Sequence, residues 1–208
     1  MTNKKAMYNL GYGLYVLSAR CDGKDNACII NTAIQVTTTP NRVIIAVNKA
    51  NYTHRMIVET GEFTVSMLDE TAPFALFQHF GFRSGRDVEK FDGTYGASRG
   101  KNSILHLTQH VNAYITCKVV TATDLGTHTL FLADVTDGDV LGKEPSMTYA
   151  YYQQNVKPRP AAAPAAPTGE KKTAWRCTVC GYIYEGETLP EDYVCPICKH
   201  GAADFEKV

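Results

Sequence analysis

Two Cys-x-x-Cys pairs near the end of the chain constrain what this sequence can fold into. Cys177 and Cys180 form the first pair, Cys195 and Cys198 form the second, and fourteen residues separate the pairs. Four thiolates carried by so short a segment are brought together in one tetrahedral metal site. Because a tetrathiolate site suits both zinc and iron, the spacing predicts a metal centre and leaves the metal open.

The residues around the cysteines favour iron. Gly181 follows Cys180 directly, and a glycine there can turn backbone N–H groups toward the sulfur atoms, which stabilises negative charge on a redox metal. The pattern Trp175-x-Cys-x-x-Cys-Gly-Tyr-x-Tyr-Glu-Gly, followed by Leu-Pro-Glu-Asp-Tyr-Val-Cys-Pro-x-Cys, resembles a rubredoxin domain over residues 174–208. The segment departs from that family in two ways: its middle part is shorter, and Lys199 stands where a glycine is common. A structural zinc ribbon is the alternative.

The composition of the whole chain excludes several function classes. The 208 residues are 44% hydrophobic and carry no formal net charge, so no global basic field favours nucleic acid or a membrane surface. No apolar run approaches the roughly 18 residues of a membrane span, and we expect a cytoplasmic protein. Three further cysteines, Cys21, Cys28 and Cys117, are scattered and are expected to be buried small side chains in a reduced environment.

A linker rich in proline and alanine separates the metal segment from the rest of the chain. It runs from Asn155 to Thr173, and its prolines favour an extended, semi-rigid tether. We therefore predict a main domain over residues 1–154, a linker over 155–173 and a metal domain over 174–208.

The main domain has mostly strand patterns. Asn51 to Gly61 and Pro73 to Phe80 are predicted as short helices, and Thr148 to Gln154 as a closing helical turn. The strand predictions are Gly13–Arg20, Cys28–Val36, Arg42–Val47, Phe63–Leu68, and a hairpin of Val111–Thr123 and Thr127–Leu141. Many strands with short helices between them predict a mainly β fold built as a closed antiparallel barrel.

Polar segments stand at the ends of two neighbouring predicted strands. Asn31 to Pro40 is crowded with amide and hydroxyl side chains, and Asn48 to His54 leads into the first helix. A helix N-terminus with an ammonium nearby suits a phosphate, because free N–H groups and the helix dipole both favour an anion. A capped helix with a polar surface is the plainer interpretation of the second segment.

The order of these segments resembles the flavin reductase-like split β-barrels that bind FMN. The resemblance covers roughly residues 5–152 and continues through Ser-Gly-Arg-Asp-Val-Glu-Lys-Phe to a histidine before an apolar strand. It implies a ring-lining strand, a phosphate segment, a lysine that stabilises reduced flavin, and a catalytic histidine at the flavin or nicotinamide pocket. The implied site residues are Asn31, Thr32, Ala33, Gln35, Val36 and Thr37 on the strand, Asn48, Lys49, Asn51, Thr53 and His54 at the phosphate, then Lys90 and His128.

The two resemblances together imply an electron-transfer protein like the high-molecular-weight rubredoxins. Electrons would pass from NAD(P)H, a transient donor, through FMN to one iron held by Cys177, Cys180, Cys195 and Cys198, and on to a flavodiiron-type reductase of oxygen or nitric oxide. Barrels of this family usually pair, so a homodimer is expected. The alternatives are an electron carrier without its own NAD(P)H activity and a zinc-ribbon module on a flavin-free barrel.

Overall fold

The computed structural model describes Ala6 and residues 9–158, 173–178, 182–195 and 201–208. Within it the chain divides into two compact units, Met1–Val156 and Lys157–Val208. Most of the predicted linker, together with Cys180, Gly181, Cys198 and Lys199, lies outside the described residues, and the predicted domain boundaries stay a prediction.

The first unit is built on strands. They are β1 Tyr15–Cys21, β2 Lys24–Ile30, β3 Ala33–Thr38, β4 Asn41–Asn48, β5 Glu62–Leu68, β6 Ala97–Arg99, β7 Leu105–Leu107, β8 Val111–Asp124 and β9 His128–Val140. Seven of them form one antiparallel sheet in the order β2-β1-β5-β8-β9-β4-β3, and β6 pairs with β7. The mainly β fold class is confirmed.

Short helices interrupt the strands where the sequence predicts them. They are α1 Tyr52–Thr60, α2 Phe74–Gly81 and α3 Tyr149–Tyr151, the last continued by a π-helical turn over Tyr152–Val156. Gly61 ends α1 with a φ of 70°, and its N–H donates to the carbonyl of Ile57. A left-handed residue at a helix C-terminus is most easily supplied by glycine, so this ending is local and readable from the sequence.

The large sheet curls around one buried cluster, and a second cluster packs α2 against Val16 of β1 and Leu68 of β5. Val43, Ile45 and Val47 alternate inward along β4, as the two-residue period of a strand requires. They join one buried cluster with Leu17 of β1 and Ile30 of the edge strand β2, so both ends of the sheet face the same interior. The described ladder ends at β2 and β3, which makes the predicted closed barrel a curled sheet with two edge strands.

One strand prediction is wrong, and two short strands were not predicted. The segment Cys28–Val36 is not one strand, because β2 ends at Ile30 and the chain turns at Asn31 and Thr32 before β3 begins. The pairs β2 with β1 and β3 with β4 place the two halves at opposite edges of the sheet. The short strands β6 and β7 are missing from the prediction, since three-residue strands have too few positions to show a period.

The second unit contains a small three-stranded sheet. Its strands are β10 Ala174–Cys177, β11 Ile183–Glu185 and β12 Phe205–Lys207, in the order β11-β10-β12. Among the described residues of the whole chain, we find no helix with the length and apolar character needed to span a membrane.

Candidate functional site

The N-terminus of α1 has no side-chain cap. Asn51 is its N-cap residue in extended conformation, yet the Asn51 side chain makes no capping hydrogen bond. The first N–H groups of a helix have no partner within the helix, and the helix dipole places partial positive charge there. A nine-residue helix that begins in this way is suited to an anionic group.

Strand pairing brings several of the predicted site residues to this helix end. Asn48 at the end of β4 pairs directly with His128 at the start of β9. Ala33 at the start of β3 pairs with Ile45 of β4, so Asn31 and Thr32 precede β3 at the same end of the sheet. The predicted residues Asn31–Ala33, Asn48–His54 and His128 therefore gather in one region.

The other predicted residues of β3 extend away from this region. Gln35 pairs with Val43 and Thr37 with Arg42, toward the start of β4, with a bulge between Gln35 and Thr37. The Gln35 amide donates to Asn41 Oδ1 at 2.8 Å, and Val36 is exposed. These residues line the edge strand away from the helix end.

Lys49 is held by the β8–β9 turn. Its backbone N–H donates to the carbonyl of Thr127 at 3.0 Å, and its Nζ lies 2.6 Å from Asp124 Oδ1. The hydrogen bond from Lys49 lowers the pKa of Asp124 below its usual range. Because the Asp124 carboxylate is largely exposed, this ion pair is weak. A phosphate could therefore replace Asp124 as the partner of Lys49.

Two histidines at the site have hydroxyl partners. His54 Nε2 lies 2.8 Å from Thr129 Oγ1, and burial, with a smaller effect from the Lys49 charge, lowers the His54 pKa below 6.5. His128 is half-buried, with Nδ1 2.9 Å from Thr127 Oγ1. Lowering the pKa of His54 keeps its ring neutral at pH 7.

The first turn of α1 rests on two residues that the sequence analysis did not place at the site. The buried Asn26 side chain donates from Nδ2 to Thr53 Oγ1 at 2.8 Å, and Asn51 Nδ2 lies 3.6 Å from Cys28 Sγ. Asn26 and Cys28 both belong to β2. Their contact with α1 depends on how the sheet packs, so no local sequence pattern identifies them.

The Lys90 ammonium is buried against backbone carbonyls. Lys90 is 2% exposed, and its Nζ lies 2.5 Å from the carbonyls of His79 and Arg83 and 3.5 Å from that of Phe80. An ammonium has three donors, and three carbonyls meet them within the protein. Burial lowers the Lys90 pKa to about 8, and the predicted place of Lys90 beside the flavin ring stays a prediction.

The three scattered cysteines are poor nucleophiles. Burial raises the pKa of Cys28 to about 11 and that of Cys117 to about 12, and a hydrogen bond to Glu59 raises that of Cys21 to about 11. Thiols with such pKa values stay protonated at neutral pH, and the thiolate is the reactive form.

Two of the four predicted metal ligands are among the described residues. Cys177 ends β10, its N–H donates to the Tyr182 carbonyl at 2.8 Å, and both Cys177 and Cys195 are fully buried in one cluster with Phe205. The described residues hold no group of three or more metal-ligating side chains, and Cys180 and Cys198 lie outside them. Trp175, Tyr184 and other partly buried aromatic side chains surround the pair, as a water-excluding metal site requires.

The chain matches two protein-family models. Residues 7–159 match the flavin reductase like domain, and residues 175–206 match the rubrerythrin, rubredoxin-like domain. The first match covers the large sheet with its helices. The second covers all but the end residues of the small sheet and contains the four cysteines of the two Cys-x-x-Cys pairs.

Known proteins agree with both matches. The chain is 36% identical to a high molecular weight rubredoxin of Moorella thermoacetica, over 98% of this chain and 99% of that protein. It is 39% identical to a ferric-chelate reductase (NAD(P)H) of Archaeoglobus fulgidus over 71% of this chain and 87% of that protein. The fold resembles Streptomyces globisporus C-1027 NADH:FAD oxidoreductase SgcE6 with a TM-score of 0.63 at 21% identity, covering 70% of this chain and 85% of that one. The chain therefore belongs to the flavin reductase like family of oxidoreductases and carries a C-terminal rubredoxin-like domain.

Proposed function

We propose that this protein passes electrons from NAD(P)H through FMN to one iron atom bound by four cysteines. The observation that carries the proposal is the uncapped N-terminus of α1, with Asn48 and His128 paired beside it on β4 and β9. A flavin phosphate is the anion that a protein of this family would place there. The likeness to a high molecular weight rubredoxin over nearly the whole chain supports the same function.

Residues of the first unit would hold the flavin. The backbone N–H of Asn51 donates to the Asn48 carbonyl, so the N–H groups of Tyr52 and Thr53 and the ammonium of Lys49 would take the phosphate. His54 adds a neutral donor or acceptor beside them. The polar and backbone groups of residues 31–37 would line the ring. When bound, FMN supplies the ability to accept a hydride and to release its electrons one at a time.

His128 is the proposed catalytic residue. Its Nδ1 is bound to the Thr127 hydroxyl, so Nε2 is the ring nitrogen that would meet the flavin or the nicotinamide. The pairing of His128 with Asn48 keeps this ring at the end of the sheet where the phosphate segment begins.

Cys177, Cys180, Cys195 and Cys198 would hold the iron. Full burial of Cys177 and Cys195 among aromatic side chains excludes water from the sulfur atoms, and Gly181 suits the backbone to donate toward them. A tetrathiolate iron atom takes one electron, so it matches a flavin that releases electrons singly.

The test is an anaerobic titration of the purified protein with NADH and with NADPH, followed by visible absorption and accompanied by metal analysis. We expect flavin and ferric-thiolate bands that both bleach, and about one iron per chain. Bound flavin and iron that both stay oxidised would leave an electron carrier reduced by another protein. A colourless protein with zinc would leave the zinc-ribbon module.

The likeness to a ferric-chelate reductase supports a second candidate, reduction of a ferric chelate by the flavin unit. Adding a ferric chelate to the NAD(P)H-reduced protein distinguishes the two. Reduction of the chelate by a variant lacking residues 174–208 as fast as by the full chain would favour the second candidate.

The remaining parts of the proposal concern partners. We propose a flavodiiron-type protein as the electron acceptor, a homodimer as the assembled form, and a cytoplasmic location, which suits the protonated, unpaired state of Cys21, Cys28 and Cys117. The acidic composition of residues 174–208, with six Asp and Glu against three Lys and Arg, would favour docking on a basic acceptor surface.

A further inference from the structure

Lys90 closes the C-terminal end of α2. The last carbonyls of a helix lack partners within the helix and lie at the negative end of its dipole. The Lys90 ammonium meets two carbonyls of α2, those of His79 and Phe80, and one from the following loop, that of Arg83. The contact is reciprocal, because His79 Nε2 lies 2.9 Å from the Lys90 carbonyl and donates to it. The segment that follows α2, residues 82–90, is thereby drawn back onto the helix end.

This segment lies directly against β2. A Cβ added at Gly85 would lie 1.7 Å from Asn26 Oδ1, and Lys24 Nζ donates to the Gly85 carbonyl at 2.9 Å. Asn26 is buried and donates in turn to Thr53 Oγ1 in the first turn of α1. Gly85 and Thr53 thus contact the same amide side chain.

The same segment also contacts the first residue of α1. The Arg86 guanidinium lies 5.0 Å from the Tyr52 ring centroid, and Lys24 Nζ lies 5.2 Å from it. Cations at this distance attract an aromatic ring. Residues 82–90 therefore support Tyr52 and Thr53, the first two residues of α1.

We infer that Lys90 is a positioning residue for the flavin phosphate, which acts through residues 82–90 and Asn26 on the N-terminus of α1. The inference rests on the proposed function, because it takes the phosphate to bind at that helix end. It differs from a direct role for Lys90 at the flavin ring, since the ammonium is buried against carbonyls. Without the ammonium, three carbonyls lose their donor, and buried carbonyls without partners drive the segment toward water.

The first test is the full-length variant Lys90→Met, which keeps most of the side-chain length and removes the charge. In the flavin-free protein we expect faster amide hydrogen exchange in residues 82–90 and at the start of α1. We also expect FMN binding weakened at least tenfold while riboflavin binding changes much less, because riboflavin lacks the phosphate. The midpoint potential of the flavin at saturating FMN should not change.

A second variant moves the segment while Lys90 stays in place. Gly85→Ala sets a methyl group against Asn26, which is held by Thr53 and has little room to give. We expect the same loss of preference for FMN over riboflavin. Lys101→Met is the matched control, since Lys101 is exposed and pairs with Asp137, and its FMN affinity should stay within twofold of the wild type.

The outcomes separate the alternatives. Unchanged FMN affinity in Gly85→Ala, or in a folded Lys90→Met, overturns the inference. A shifted flavin potential with normal exchange in residues 82–90 also overturns it, in favour of direct contact. Equal losses for FMN and riboflavin indicate a purely structural role and overturn it as well. A wild-type protein that takes up no flavin defeats the proposed function and this inference together, whereas the other outcomes leave the proposed function intact.

Discussion

His54 shows how the environment of a single side chain determines its chemical state. Burial and the Lys49 charge lower its pKa, and the Thr129 hydroxyl lies 2.8 Å from Nε2. Because the folded pKa lies below the unfolded value of 6.5, folding favours the neutral ring. The stability that this group contributes is present above pH 6.5 and is lost as the pH falls through the folded pKa.

A bound phosphate should reverse this shift. We expect the His54 titration midpoint to lie below 6.5 in the flavin-free protein and to rise on FMN binding, because a nearby dianion stabilises the imidazolium. The measurement is an NMR titration of the histidine side chains, with His54→Gln to identify the resonance. Riboflavin is the control. A midpoint that FMN leaves unchanged, or that riboflavin raises equally, would place the phosphate elsewhere.

At the scale of the elements, the outer face of the sheet is apolar. Ile34 of β3 pairs with Ile44 of β4, and Ile44 pairs with Leu132 of β9, on the side opposite the inward-facing Val43 and Ile45. Ile34 is 54% exposed. Cross-strand apolar side chains on an open face are stabilised when a second surface covers them, which suits the proposed homodimer.

Substituting Ile34 tests whether this face forms the dimer. We expect Ile34→Asp to convert a dimer into a monomer, because a buried carboxylate without a partner costs several kcal/mol at an interface. Light scattering at matched protein concentrations gives the mass. The control is Val58→Asp, since Val58 is 60% exposed on α1 and away from this face. A monomeric wild type, or an Ile34→Asp variant of unchanged mass, would contradict the assignment.

At the scale of the whole molecule, the proposed function joins two compact units with different electron chemistry. The units are Met1–Val156 and Lys157–Val208, and the sequence between their folded parts is rich in proline and alanine. On this proposal the tether would make transfer between the two units intramolecular, with an effective concentration of about millimolar.

Shortening the tether should therefore separate the two reactions. Deletion of residues 160–167 is expected to slow iron reduction severalfold and to leave flavin reduction by NAD(P)H unchanged. Stopped-flow absorption at the flavin and ferric-thiolate bands measures both rates in one experiment. A variant with residues 160–167 replaced by the same number of Gly and Ser is the length control. Equal iron-reduction rates in the deletion variant and the wild type would defeat the model.

Much of the fold could be predicted because its signals are local. β4 follows its alternating apolar residues, Gly61 ends α1, and Gly126 with a φ of 84° turns the chain between β8 and β9. The split of the segment 28–36 into two strands could not be predicted from its pattern. Its apolar residues continue across Asn31, and the break depends on which edge of the sheet each half joins.

By itself, the sequence determined the features that depend on spacing along the chain: the two Cys-x-x-Cys pairs, the glycine turn and cap, the linker composition and the polar segments at the strand ends. Tertiary structure alone decided which polar side chains meet. It brought Asn26 into contact with Thr53, paired Asn48 with His128, and placed the Lys90 ammonium against the last carbonyls of α2. The physical reason is that hydrogen bonds between residues distant in sequence depend on sheet order and burial, neither of which a local pattern encodes.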